Sequence, residues 1–210
     1  MPQSPRTECL STAQQRAATR RNALQLGAGW AIATALGLAS AGSAQGAALQ
    51  GSAAMPEELQ EALPMAQALG TAKLRFLGLE IYQARLWVAK GFNASAWAQS
   101  PFALELNYAR TLSGRLIAER SLKEMRRQAS LDAQQETSWL ADMLLSFPDV
   151  RSGDRITGLY TPAQGARFWL NGQARLGLRD AECSRLFFGI WLSEASSEPQ
   201  LRASLLGRDS

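Results

Sequence analysis

The sequence predicts an α+β domain in which an antiparallel sheet carries helices on one face. Three observations point to it. Segments with strand alternation and segments with helical spacing come in separate runs, not in strict βαβ order. From Pro101 onward, Phe102, Leu104, Leu106 and Tyr108 alternate with Ala103, Glu105, Asn107 and Ala109, the pattern of a strand with one core face and one wet face. Asn171-Gly172 lies between two further extended runs and supplies the two positive-φ residues of a tight hairpin.

Taken in order, residues 45–55 form a leader of Ala, Gly, Ser and Gln with little to bury. The domain itself is expected over 56–210. Leu59, Leu63 and Ala66 have helical spacing, but Pro64 limits them to a short helix or turn. Thr71 to Ala89 reads as extended and is divided at Gly78; the broken alternation around Ile81 and Gln83-Ala84 predicts a bulge or bend. Ser113-Gly114 opens a helix to about Ala129, with Ala118, Leu122, Met125 and Ala129 in one stripe. A second helix over Ala133–Ser146 buries Trp139, Leu140, Met143, Leu144 and Phe147 before Pro148 stops it. Strands follow at Asp154–Thr161, Ala166–Leu170 and Gln173–Arg179. Asp180 caps a third helix with Ser184, Phe187, Phe188 and Trp191 inward. Ser197-Glu198-Pro199-Gln200 reads as a capping box for a last helix ending before Gly207. Glu105 and Arg167 are expected to form a cross-strand pair.

Residues 1–44 read as an export signal. Arg20-Arg21 precedes an apolar stretch from Leu24 to Ala41, and small residues at Ala39-Ser40-Ala41 and Gly42-Ser43-Ala44 offer cleavage near Ala41 or Ala44. The paired arginines with Leu24 behind them resemble the twin-arginine type, a receptor-read address. The general secretory route and an uncleaved anchor are the alternatives, but Gly27, Gly29 and Gly37 dilute the stretch as a membrane span. A periplasmic protein without a membrane span after cleavage is expected.

Composition narrows the chemistry. The chain has 22 Lys+Arg and 18 Asp+Glu. Removing residues 1–44 takes four arginines and one glutamate, leaving a nearly neutral domain with no basic block suited to nucleic acid. Histidine is absent, which excludes Ser-His-Asp and Cys-His catalysis and the commonest zinc sites. Cys183 is the lone cysteine after Cys9 leaves with the signal, so it is expected to be buried. No Cys-x-x-Cys, Walker loop or Gly-x-Gly-x-x-Gly occurs. No metal and no cofactor is expected.

Many weak blocks in a definite order carry a resemblance. Phe76-Leu77-Gly78-Leu79-Glu80-Ile81-Tyr82 precedes Ala84-Arg85-Leu86-Trp87 and Pro101-Phe102-Ala103-Leu104-Glu105-Leu106. Ser113-Gly114, Ala118-Glu119-Arg120-Ser121 and Phe147-Pro148-Asp149 follow, and Phe187-Phe188-Gly189-Ile190-Trp191-Leu192 closes the set. Over most of residues 66–207 the chain resembles the bacterial exported branch of the chalcone isomerase-like proteins. The resemblance implies an open-faced β-sandwich, with an antiparallel sheet backed by a layer of helices and a ligand cleft between them.

The family's enzymes place substrate with an arginine and with hydroxyl and amide groups. Aligned by the blocks, these positions fall on Lys73 or Arg75, on Tyr82, on Ile117, near Glu124 and on Gly189. Ile117 and Gly189 carry no polar side-chain group, and loss of one oxyanion donor costs about 2.7–4 kcal/mol. Flavonoid cyclisation is therefore not expected, and no catalytic residue is assigned. Non-catalytic relatives grip a fatty-acid carboxylate with an arginine and a tyrosine. The resemblance makes Lys73, Arg75, Tyr82 and Arg120 the candidate ligand-binding residues. Three readings follow: an exported protein binding a fatty acid or similar apolar carboxylate, an isomerase or lyase acting on an unknown small molecule, and an envelope accessory protein with a filled cleft.

Overall fold

The computed structural model describes residues 54–208; the expected export signal, with its expected cleavage near Ala41 or Ala44, and most of the expected leader lie outside the described residues. Six strands form one antiparallel sheet whose spatial order is the chain order: β1 (Gln67–Phe76), β2 (Leu79–Val88), β3 (Phe102–Tyr108), β4 (Arg155–Thr161), β5 (Gly165–Leu170) and β6 (Gln173–Leu178). Helices α2 (Gly114–Met125), α3 (Ala133–Ser146), α4 (Ala181–Leu192) and α5 (Pro199–Leu205) bury their apolar sides on one face, giving the α+β open-faced sandwich expected. A short helix, α1 (Glu57–Ala62), lies on the other face and packs Leu59 against Trp87, Ala103 and Leu159. Among the described residues no helix is long and apolar enough to cross a membrane.

The main core is an aromatic seam between the sheet and α4. Phe188 meets Phe102 at 5.2 Å and Tyr160 at 5.6 Å between ring centroids, and Phe187 meets Phe147 at 5.3 Å. Gly158 of β4 makes this packing possible. A Cβ there would stand 2.9 Å from the ring of Phe168 and 3.1 Å from that of Phe188, closer than packed carbons approach. Trp139, Met143 and Phe147 of the α3 region and Ala118, Leu122 and Met125 of α2 complete the layer.

Several boundaries differ from the sequence reading. β1 begins at Gln67, and a 3₁₀ turn over Ala94–Gln99 carries the buried Trp97. The expected bulge is present: Leu74 pairs with Tyr82 but Arg75 pairs with Glu80, so Ile81 is the extra residue. The last helix has no capping box, since Glu198 makes no side-chain cap bond. The reciprocal box is at α3, between Asp132 and Gln135. Cys183 is buried as expected, and burial pushes its thiol up.

The expected wet face of β3 is also covered. Ala103 lies in the cluster under α1, and Glu105 is only 4% exposed. The Glu105 carboxylate accepts hydrogen bonds from Trp87 Nε1 at 2.8 Å, Asn107 Nδ2 at 2.6 Å and Arg85 at 3.3 Å. Arg85 takes the place expected for Arg167, because β3 and β5 are separated by β4; Arg167 lies over the Trp169 ring instead. A buried charge with three donors becomes costly to remove, since its partners are then stranded. Glu105→Ala is expected to destabilise the fold by about 3 kcal/mol in urea unfolding, with Glu105→Gln retaining part of the loss.

Candidate functional site

Tyr82 stands on the helix-backed face of β2, directly opposite Tyr108 of β3. Their rings meet edge-to-face at 5.9 Å. From α4, Trp191 Nε1 donates to the Tyr82 hydroxyl at 3.0 Å. Among the described residues, neither the Tyr82 nor the Tyr108 O–H has an acceptor for its own proton. Burial pushes both phenols far above their ordinary range. The Trp191 bond and the Arg120 charge oppose that rise at Tyr82, while Glu198 and Glu124 add to it. Tyr108 is buried and Tyr82 half-buried, and both remain protonated donors at neutral pH.

Arg120 is the cation of this region. It projects from α2, more than half exposed, and contacts the Glu124 carboxylate at 3.0 Å. Glu124 itself is 7% exposed, and its second oxygen has no hydrogen-bond partner, with Arg127 Nε at 3.7 Å. Next to it, Gln128 donates from Nε2 to the Leu186 carbonyl at 2.7 Å, and its Oε1 lies buried and unpaired against Gly189.

Lys73 and Arg75 are placed elsewhere. The register sets Leu74 beside Tyr82 and turns Lys73 and Arg75 to the opposite face of the sheet. Lys73 pairs with Glu80 at 3.0 Å, and Arg75 is exposed. Arg120 is thus near enough for its charge to act on Tyr82, and neither strand cation joins them. Tyr108, Trp191 and Gln128 belong to this region but carried no distinguishing signal in the sequence. Tyr108 read as one more core position of β3, and Trp191 as one more inward aromatic of α4. Their partnership with Tyr82 depends on register and on the rotation of α4.

The positions onto which the family's substrate-handling groups align are now filled from within. Ile117 packs against the core, Glu124 is held by Arg120, and Gln128 occupies the space over Gly189. A separate groove of about 720 Å³ lies on the other face, beside α1, lined by Glu57, Glu58, Glu61, Arg155, Arg167 and Trp169 among others. Glu58 there accepts from Arg155 at 2.9 Å and from Thr157 at 2.7 Å. Its lining of carboxylates and guanidinium groups suits a polar solute, not an acyl chain. Gly189→Ser is expected to collide with Gln128 and to cost about 1 kcal/mol or more in unfolding measurements, with recovery when Gln128→Ala is added.

Comparison with known proteins agrees with this architecture. A protein of Haemophilus influenzae, itself uncharacterised, is 28% identical over 142 residues, covering 68% of each chain. The crystal structure of a fatty-acid binding protein from Arabidopsis thaliana superposes with a TM-score of 0.53 at 11% identity, covering 74% of this chain and 90% of that one. That likeness concerns the fold. Residues 69–207 match the family described as chalcone isomerase-like, and the chain belongs to it.

Proposed function

We propose that the chain is a non-catalytic binding protein that holds a fatty acid or similar apolar carboxylate between sheet and helices. The observation that carries this is the adjacent pair Tyr82 and Tyr108, a half-buried and a buried phenol whose O–H donors find no acceptor among the described residues. A ligand carboxylate accepts both, and Arg120 at the rim supplies the opposite charge. Leu74, Ile117 and Ile190 pack against the same core and offer apolar surface to a chain. The fold shared with a fatty-acid binding protein supports the reading. Isomerase chemistry is disfavoured by Ile117 and Gly189 at positions where the family's enzymes carry polar groups.

The aromatic seam favours a second reading. Phe147, Phe168, Phe187 and Phe188 fill the centre of the interlayer, as an accessory protein with no ligand would have it. Native mass spectrometry of the exported protein and titration with a long-chain fatty acid, followed by tryptophan fluorescence, separate the two. Binding at micromolar levels or tighter is expected. Tyr82→Phe should weaken it at least tenfold, since a hydrogen bond to a charged group contributes about 1.5–3 kcal/mol; Arg75→Ala should leave it unchanged. Finding no bound lipid and no micromolar binding would replace this reading with the accessory one.

The same proposal locates the protein in the periplasm, supported by the export pattern around Arg20-Arg21. Replacing both arginines with lysine is expected to strand the precursor in the cytoplasm, read by immunoblotting cell fractions. Normal secretion of that variant would point to the general route.

A further inference from the structure

The hairpin joining β1 and β2 ends in three exposed apolar side chains: Phe76 at 64%, Leu77 at 85% and Leu79 at 49%. Phe76 and Leu79 pair across the last rung, so they share one face, and Leu77-Gly78 forms the two-residue turn. The molecule contains its own control for this turn. The β5–β6 hairpin closes in the same way, with Leu170 opposite Gln173. Its central residues, Asn171 and Gly172, have φ of 50° and 83°; Leu77 and Gly78 have 50° and 78°. Asparagine tolerates the left-handed backbone through local hydrogen bonding, and leucine does not. A strained leucine at the most water-exposed point of a turn is disfavoured by both conformation and solvation. Such a residue points to a function for its side chain.

The charges beside the tip are positive. Lys73 is neutralised by Glu80, whereas Arg75 and Arg110 have no ion-pair partner among the described residues. Arg110 is brought there by Ala109, whose N–H bonds to the Ile81 carbonyl at 2.9 Å. A two-residue turn is convex and offers no groove to seat a partner's helix. Three apolar groups at its apex, flanked by guanidinium groups, suit the boundary between acyl chains and anionic head groups. We propose that the β1–β2 hairpin tip is a membrane-contact element that inserts Phe76, Leu77 and Leu79 into an anionic lipid surface, with Arg75 and Arg110 on the head groups. The tip stands at the same end of the sheet as Tyr82. It therefore sets the proposed ligand site next to a lipid source, a consequence that rests on the ligand reading, although the membrane contact itself does not.

Cosedimentation of the protein, purified as the cell processes it, with mixed phosphatidylglycerol–phosphatidylcholine vesicles tests this against phosphatidylcholine alone. Wild type should favour the anionic vesicles, and its binding should weaken with salt. Leu77→Asn copies the Asn171 turn, so it should fold at least as well, yet it should lower partitioning about tenfold. Arg75→Gln and Arg110→Gln should each lower binding to anionic vesicles about fivefold and leave binding to phosphatidylcholine unchanged. Equal partitioning of wild type and Leu77→Asn, or no vesicle binding by either, would overturn the proposal. So would self-association in sedimentation velocity that Leu77→Asn abolishes in the absence of vesicle binding, since the tip would then contact a second copy. Fatty-acid affinity in solution, measured on Leu77→Asn, should match wild type, so failure of membrane contact and failure of ligand binding are read separately.

Discussion

The ring of Phe188 can reach the sheet only because β4 has no side chain at Gly158. That contact sets how α4 is rotated and how closely it approaches. With Phe188 against Phe102, Tyr160 and Phe168, the position three residues on, Trp191, faces β2 and reaches the Tyr82 hydroxyl. Gly189 then faces α2, where its missing side chain leaves room for Gln128. One bare stretch of backbone thus governs both the phenol contact and the packing of the two long helices beside it.

The proposed binding role agrees with the groups found at the positions aligned with the family's substrate-handling residues. Oxyanion chemistry requires several donors converging on one developing charge. At the corresponding places this chain has the aliphatic Ile117, a carboxylate at Glu124 already held by Arg120, and a glycine covered by Gln128. What survives is a pair of phenols kept protonated by their surroundings. Such groups can hold an anion without activating it. On the proposed reading, that difference is what makes this a binding site on a frame that elsewhere carries an active site.

Much of the frame was legible in the residues. The strand from Phe102 to Tyr108, the Asn171-Gly172 turn and the stripes of α2 and α3 each encode local geometry, and each element is present. The far side of β3 was misread because alternation reports polarity, not coverage. Glu105 looks like a solvent residue until Trp87, Asn107 and Arg85 are seen to enclose it. The capping box was misassigned because Ser197-Glu198-Pro199-Gln200 has the right letters, whereas Asp132 and Gln135 have the right geometry. At the site, Tyr82 and Arg120 were identifiable by type, but Lys73 and Arg75 were not separable from them. Which side of a strand a residue faces depends on register, and register depends on the bulge.

The extra residue in β2 has an electrostatic consequence. In an unbroken strand Glu80 and Tyr82, two positions apart, would share a side, and a carboxylate would stand next to the phenols. With Ile81 interposed, Glu80 is carried to the reverse side, where it meets Lys73, while Leu79 comes round to the phenol side. A single inserted amino acid thus sorts the strand's residues by charge, clearing a negative group from the path an incoming anion would take.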